Sequence, residues 1–158
     1  MDFHQVSNLE KINKYESSLS PKMRRDYGVF YTEISLAEMM LIELQIQKDK
    51  VVLDPTCGTG SFIIAANKLG LNNVYGVDID QKAIEVCQSI APTAKVAIGN
   101  SIGNKSYETL NQIGLSQDKK VDYIVGNPPY AQIYGDVLLD TNDLIFYNNV
   151  INSGNNLF

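Results

Sequence analysis

Apolar residues recur along the chain in two patterns, and each pattern predicts one type of secondary structure. Short segments that are mostly β-branched or apolar predict strands at 51–53, 74–77, 94–98 and 121–125. Apolar positions at helical spacing predict helices at 9–19, 61–69, 81–90 and 105–114. Ser35-Leu36-Ala37-Glu38 has the composition of a capping box and predicts one more helix, from about Ser35 to Gln47. Strands and helices therefore alternate along most of the chain.

This alternation is typical of an α/β fold with a doubly wound, largely parallel sheet. After the fourth strand, Asn142 to Ile151 predict a further helix, and Asn155 to Phe158 resemble the entry to a fifth strand. A sheet that ends there leaves an apolar edge and face exposed. We therefore expect this chain to be part of a longer protein, with an open edge through which copies can self-associate.

Length and composition set the class of protein. With 158 residues, 44% of them hydrophobic, the chain has the size of one globular domain, in which we place a leading helix at 1–21 and the core at 22–158. The first residues form no signal region and no apolar run is long enough to span a bilayer, which favours a soluble cytoplasmic protein. Cys57 and Cys87 fit no pattern of metal ligands, so no metal site is expected.

A glycine loop, Asp54-Pro55-Thr56-Cys57-Gly58-Thr59-Gly60, follows the first predicted strand. Open α/β sheets bind their ligands at this carboxyl end of the strands. Gly58 and Gly60 permit a tight turn, and the following helix directs amide hydrogens toward an anionic group. Asp78, at the end of the second strand, stands where doubly wound nucleotide folds place an acid that binds ribose hydroxyls. The two motifs support each other as one ligand-binding site.

Three classes of ligand use such loops, and the residues discriminate among them. A phosphate-binding loop needs a lysine after its second glycine, whereas Gly60 is followed by Ser61 and Phe62. A dinucleotide loop needs a third glycine, and bulky Ile63 occupies that position. Asp54 would repel a pyrophosphate but attracts the ammonium group of an amino acid, directly or through water. S-adenosylmethionine has that ammonium group and is the ligand we favour.

A second loop, Asn127-Pro128-Pro129-Tyr130, follows the fourth predicted strand. Two consecutive prolines make the backbone rigid and remove two amide hydrogens, so the carbonyl oxygen of Pro128 has few local partners. That oxygen and the side-chain oxygen of Asn127 are two acceptors for one exocyclic amino group, while Tyr130 can stack on a planar ring. The set suits methyl transfer to an aromatic amine. An ordinary Pro-Pro turn is the alternative, and the position opposite the glycine loop argues against it.

In their order along the chain, Tyr27 to Thr32, Asp54 to Gly60, Asp78 and Asn127 to Tyr130 resemble the amino-methylating DNA methyltransferases in their gamma arrangement. The resemblance covers roughly Tyr27 to the C-terminus and depends on the combination of motifs. It implies a Rossmann-like S-adenosylmethionine-dependent methyltransferase fold that is incomplete at its C-terminal side. With Asn127 at the start of the second loop, the chain resembles N6-adenine enzymes, including type I modification subunits and type II or fused restriction-modification methylases.

The resemblance also implies a role for each motif. In the family, the segment before the first strand closes over the methionine part of the cofactor, and the glycine loop lines the same part. The acid after the second strand holds the ribose, and its apolar neighbour lies against the adenine. After the third strand the family often has Asp as an acceptor, whereas this chain offers the amide oxygen of Asn100. The implied cofactor residues are Tyr31, Thr32, Asp54, Thr56, Cys57, Gly58, Gly60, Asp78, Ile79 and Asn100, and the implied catalytic residues are Asn127, Pro128, Pro129 and Tyr130.

Three functions remain open at this point. The first is an N6-adenine DNA methylase fragment that lacks its target-recognition domain. The net charge of −5 is wrong for binding DNA unaided, so DNA would be bound through the full-length protein or a specificity subunit. The second is a glutamine methylase of the release-factor type, whose loop is similar, although the segment Tyr27 to Thr32 favours DNA. The third is a cofactor-binding fragment without activity.

Overall fold

The computed structural model of the chain describes residues 3–22, 24, 30–101, 106–116 and 118–129. Within this part of the chain the helices are α1 (Phe3–Ser18), α2 (Ile34–Glu43), α3 (Ser61–Lys68), α4 (Gln81–Ile90) and α5 (Ser106–Gln112). The strands are β1 (Val52–Asp54), β2 (Val74–Asp78), β3 (Lys95–Ile98) and β4 (Tyr123–Ile124). Helices and strands alternate from β1 onward, as the apolar patterns predict.

The strands form one parallel sheet in the order β3-β2-β1-β4. In the central strand, Val52 pairs with Val74 on one side and with Tyr123 on the other. Parallel neighbours need a crossover between them, and α3, α4 and α5 provide these connections. The prediction of a doubly wound parallel sheet is confirmed.

Apolar side chains are buried on both faces of this sheet. On one face, Val52 packs in a cluster with α2 and α3, to which Leu41 and Ile63 contribute fully buried side chains. On the other face, the neighbouring residue Leu53 packs with Leu115 in a second cluster. Successive residues of a strand point to opposite faces, so β1 needs to be apolar throughout until it reaches the edge where the polar residues begin.

The predicted boundaries are within a few residues of those observed except at α1, which begins at Phe3 rather than Leu9, where mostly polar residues interrupt the apolar spacing. The predicted capping box is also wrong. Ser35 lies inside the first turn of α2, because the helical hydrogen bonds already begin with the Ala37 amide, which donates to the Glu33 carbonyl at 3.0 Å. Glu33 is the N-cap and makes no side-chain capping hydrogen bond. The helix also ends at Glu43 rather than Gln47, and Gln45 has a φ of 49°, which a right-handed helix excludes.

Some predictions concern residues outside the described part of the chain. These are the helix from Asn142 to Ile151, the strand entry from Asn155 to Phe158, and the tyrosine of the second loop, Tyr130. Within the described ranges, every helix is too short or too polar to cross a membrane.

Candidate functional site

The polar residues of the two predicted motifs follow the carboxyl ends of the parallel strands. Asp54 ends β1 and Asp78 ends β2, while Asn100 follows β3 and Asn127 follows β4. Because the strands are parallel, their carboxyl ends lie along one edge of the sheet. The fold therefore brings the glycine loop and the loop after β4 to the same edge.

The glycine loop turns sharply between β1 and α3. Gly58 and Gly60 have φ values of 52° and 92°, in the left-handed region that favours glycine. The Gly60 amide donates to the Cys57 carbonyl at 2.8 Å, and the Cys57 amide donates to the Val77 carbonyl at 2.9 Å. The first bond closes the turn and the second attaches the loop to β2, so the amino end of α3 lies at the carboxyl edge of the sheet.

Asp78 binds the glycine loop from the neighbouring strand. Its Oδ2 accepts a hydrogen bond from the Gly58 amide at 2.7 Å, and its Oδ1 accepts one from the Asp80 amide at 2.9 Å. Burial raises the pKa of the Asp78 carboxyl, and these two amide bonds reduce the rise without cancelling it. The structure thus shows a supporting role for Asp78. Ribose binding stays a prediction, and the remaining lone pairs of the carboxylate permit it.

Asp54 lies at the junction of the two loops. Its side chain is 1% exposed, and its Oδ1 accepts a hydrogen bond from the Thr56 amide at 3.1 Å. Burial raises the pKa of Asp54 to about 7. A Cβ placed at Gly126 would be 2.8 Å from the same Oδ1, so a glycine is needed for this close approach. The loop after β4 and the glycine loop therefore meet at Asp54.

Two threonine hydroxyls of the glycine loop are buried. Among the described residues, neither Thr56 Oγ1 nor Thr59 Oγ1 has a hydrogen-bond partner. Thr59 is wholly buried, whereas Thr56 is half-buried, and its Oγ1 would be 3.4 Å from a Cβ at Gly126. An unpaired buried hydroxyl is unfavourable by about 1–3 kcal/mol, so a ligand that bonds to it removes a destabilising feature.

The segment before α2 lies over the glycine loop. A Cβ at Gly58 would be 3.2 Å from Cε1 of Tyr31, so the tyrosine ring packs directly on the turn. The carbonyl of Thr32 accepts a hydrogen bond from Ser61 Oγ at 2.6 Å, which attaches the segment to the start of α3. Burial raises the pKa of Tyr31 to about 12, so its hydroxyl is protonated at neutral pH. Tyr31 and Thr32 are therefore next to the loop with which the sequence associates them.

The same segment also contacts the loop after β4. Asn127 Nδ2 donates a hydrogen bond to the carbonyl of Phe30 at 2.9 Å. Pro128 and Pro129 are exposed, and Tyr130 lies outside the described residues. The amide group of Asn127 is thus oriented by its nitrogen, and the predicted role of its oxygen as an acceptor stays a prediction.

The other predicted residues differ in their exposure. Cys57 is buried, and burial followed by the charge of Asp54 raises its thiol pKa well above the ordinary value, so the thiol is not an activated nucleophile. Ile79 is 57% exposed and offers an apolar surface beside Asp78. Asn100 is half-buried next to Gly99, whose amide donates to the Asp78 carbonyl at 2.9 Å.

Sequence reasoning missed three residues that support the site. Asp80 caps α4 by accepting from the amides of Lys82 and Ala83, and an acid directly before an apolar helix is a signal that could have identified it. Gly126 precedes Asn127, but nothing in the local sequence shows its contact with Asp54. Tyr15 follows the helical apolar spacing of α1, which predicts only a core position.

The comparisons with known proteins agree with this geometry. Residues 13–156 match the family described as N-6 DNA Methylase, and the chain therefore belongs to this family. It is 34% identical over 122 residues to the type II methyltransferase M.CvrRI of Paramecium bursaria Chlorella virus XZ-6E, covering 77% of this chain. It is also 34% identical over 121 residues to the type II methyltransferase M.VspI of Vibrio sp. strain 343, covering 75% of this chain. The family membership supports S-adenosylmethionine as the cofactor.

The matched regions make up most of this chain but only a small part of each relative. The matches span only 29% of the length of each of the two type II methyltransferases. A solved structure from Vibrio vulnificus YJ016, described as a modification subunit of a type I restriction enzyme, is similar with a TM-score of 0.53 at 19% identity. That match covers 96% of this chain and 36% of the Vibrio chain, and it shows the shared fold.

Proposed function

We propose that this chain forms the S-adenosylmethionine pocket and the catalytic loop of an N6-adenine DNA methyltransferase from a restriction-modification system. The observation that supports this most is the contact of Gly126 with Asp54, because it joins the Asn127 loop to the glycine loop. When bound, S-adenosylmethionine supplies an electrophilic methyl group. The residues of the chain orient the cofactor and the amine that accepts the methyl group.

The pocket has the donors and acceptors that this cofactor needs. Asp54 matches the ammonium group, and the Thr56 hydroxyl, which has no partner among the described residues, belongs to the residue whose amide donates to Asp54. Asp78 matches the ribose hydroxyls, and its two amide bonds hold it in place. Tyr31 covers the turn at Gly58 and would exclude water from the methionine part. The residues present therefore fit the cofactor that the family membership supports.

The loop after β4 has acceptors for an exocyclic amine. Asn127 uses its Nδ2 on Phe30, so its Oδ1 is the atom that faces a substrate amine in this proposal. The carbonyl oxygen of Pro128 is the second acceptor, and Tyr130 would stack on the base. With both amine hydrogens held, the nitrogen lone pair would be directed at the methyl group of the bound cofactor. Transfer would break the carbon–sulfur bond, leave the cofactor as a neutral thioether and release one amine proton to solvent. Adenine in a duplex must be flipped out of the helix to reach this loop.

DNA binding is assigned to a larger assembly. The net charge of −5 provides little attraction for phosphates, and the chain spans 29% of the type II methyltransferases that it matches. We infer that the rest of a longer protein, or a specificity subunit, reads the target sequence. Ile124 of β4 is 70% exposed, and that part of the sheet is the place for the longer protein or a second copy of the chain to pack.

Calorimetry with S-adenosylmethionine tests the pocket. We expect the unaltered chain to bind, Asp78→Ala to bind at least about tenfold more weakly, and Asp118→Ala to bind normally, because Asp118 is an exposed acid away from the loop. Absence of binding by a folded, unaltered chain would overturn the proposal.

A methyl-transfer assay tests the substrate. We expect labelled methyl groups to enter unmethylated DNA as N6-methyladenine, and DNA already methylated at the site to accept none. If this chain is silent while a longer version from the same locus methylates adenine, the chain provides the chemistry but not the DNA contacts. Transfer to a glutamine peptide instead of DNA would reject the adenine assignment.

A further inference from the structure

We propose that Tyr15, on the leading helix α1, is a positioning residue for the cofactor pocket, because it contacts both Asp80 and Tyr31, and each of these is connected to the glycine loop. This inference rests on the proposed function, since it assigns Tyr15 to the same cofactor site. Neither the apolar pattern nor the motifs of the chain predict such a role for α1.

The leading helix is attached to α4, the helix that follows the second acid. Ile12 is 5% exposed and packs with Ile64 and Ala91. Lys11 Nζ donates to the Ser89 carbonyl at 3.2 Å at the far end of α4. Tyr15 is 8% exposed and lies one turn further along α1, on the side of the glycine loop. Ile12 thus provides an apolar contact of α1, and Tyr15, one turn later, provides a polar one.

A short chain of hydrogen bonds connects the Tyr15 hydroxyl to the glycine loop. The hydroxyl donates to Asp80 Oδ2, and Asp80 Oδ1 accepts from the amides of Lys82 and Ala83 at the start of α4. The Asp80 amide donates to Asp78 Oδ1, and Asp78 Oδ2 accepts from the Gly58 amide. Tyr15 therefore holds Asp80 in place, and Asp80 in turn holds Asp78, the acid proposed to bind the ribose.

The ring of Tyr15 supports the pocket from a second direction. It lies edge-on to the ring of Tyr31, with the ring centres 6.2 Å apart and the planes at 76°. Such a contact contributes beyond simple burial. On its other side Tyr31 packs on the turn at Gly58. Residues 31–33 have no regular secondary structure, so side-chain contacts of this kind decide where the Tyr31 ring lies.

The protonation states agree with this arrangement. Burial, together with the hydrogen bond to Asp80, raises the pKa of Tyr15 well above its ordinary value, so the hydroxyl remains a donor at every working pH. Burial likewise raises the pKa of Tyr31. Two neutral hydroxyls next to the carboxylates of Asp78 and Asp80 add no negative charge to the pocket.

Calorimetric titrations of two ligands separate positioning from general support of the fold. Tyr15→Phe removes only the hydroxyl, Tyr15→Leu also removes the ring, and Ile12→Val weakens the apolar contact of α1 one turn away. Each variant is titrated with S-adenosylmethionine and with 5′-methylthioadenosine, which lacks the amino-acid part. Thermal unfolding of each variant, without ligand, measures the general loss of stability.

We expect Tyr15→Phe to raise the Kd of both ligands by about fivefold, since the hydrogen bonds through Asp80 and Asp78 position the nucleoside part that both ligands share. Tyr15→Leu should raise the Kd of S-adenosylmethionine further, because the lost ring supports Tyr31 over the methionine part. The Kd of 5′-methylthioadenosine, which lacks that part, should show no further rise. Ile12→Val should lower the melting temperature while both Kd values stay within about twofold. Unchanged affinities in Tyr15→Phe, when the unaltered chain binds, would overturn the role of Tyr15 alone. No binding by the unaltered chain would overturn the proposed function and this inference together.

Discussion

Asn127 Nδ2 donates a hydrogen bond at 2.9 Å to the backbone carbonyl of Phe30, which lies 97 positions earlier in the chain. This bond attaches the proposed catalytic loop to the segment whose next residue, Tyr31, packs on the glycine loop. On the other side of Asn127, Gly126 approaches Asp54. Three separate stretches of sequence are thereby joined at one edge of the sheet, and a change in one of them is expected to affect the others.

The Asn127 bond can be tested through stability. Asn127→Ala and the isosteric Asn127→Asp both remove the donor to Phe30, so each should lower the free energy of unfolding by about 1 kcal/mol in urea denaturation. Both should also reduce methyl transfer by at least about 100-fold wherever transfer is measurable, because Asn127→Ala removes the acceptor oxygen and Asn127→Asp removes the donor that orients it. If both variants unfold like the unaltered chain, the bond does not hold the two loops together.

The buried carboxyl of Asp54 should make stability depend on pH. Burial raises its folded-state pKa to about 7, above the value near 3.9 that is typical of an unfolded chain. The folded state therefore binds this proton more tightly, so the stabilising contribution is complete below about pH 4 and is lost as pH rises through 7. Melting temperatures from pH 5 to 8 should fall more steeply for the unaltered chain than for Asp54→Asn. Parallel curves for the two proteins would contradict this assignment.

The same group should make cofactor binding depend on pH in the opposite direction. An ammonium group beside Asp54 favours the carboxylate, so binding removes the proton that the free protein holds near neutral pH. The Kd for S-adenosylmethionine should therefore decrease between about pH 6 and pH 7.5, a range in which an α-ammonium group stays largely protonated. Asp54→Asn should bind more weakly and with a flat profile, whereas a steep profile in that variant would exclude Asp54 as the titrating group.

The sequence predicts the sheet and both loops because their signals are local. Strand 74–78 is a continuous apolar run that ends in an acid, and the glycines of the first loop mark their own turn. The capping-box prediction was wrong because Ser35 can be a cap only if the helix starts after it. The helix already includes the preceding residue, Ile34. The close approach of Gly126 to buried Asp54 was not predictable, because the two residues are far apart in sequence.

The unpaired hydroxyl of Thr56 predicts a separation between stability and binding. Thr56→Val removes a buried polar group that has no partner among the described residues, so the ligand-free chain should be as stable as before or more stable. Its Kd for S-adenosylmethionine should rise about fivefold if the hydroxyl bonds to the ligand. Thr59→Val is the matched control, because its wholly buried side chain should show the same stability effect without a change in Kd. Equal Kd values in all three proteins would remove Thr56 from the pocket.

Gly60 should be the glycine of the loop that tolerates substitution least. Its φ of 92° strains any other residue, and an added Cβ would also collide with Cys87 Sγ. Gly114 provides the comparison, because it has a φ of 79° but no atom of the described part of the chain lies within 4 Å of an added Cβ. Gly114→Ala should therefore lower the free energy of unfolding by about 1–2 kcal/mol through backbone strain alone.

The collision at Gly60 should add to that strain. Gly60→Ala should lower the free energy of unfolding by about 1–3 kcal/mol more than Gly114→Ala, as overpacking of a filled core does. The excess should shrink in a Cys87→Ala background, because the sulfur that the new methyl group meets is absent. Urea denaturation of the unaltered chain, Gly60→Ala, Cys87→Ala and the double variant measures this coupling. Equal losses for the two alanine variants would mean that α3 and α4 can separate at the loop, and that Gly60 is needed only for its backbone angle.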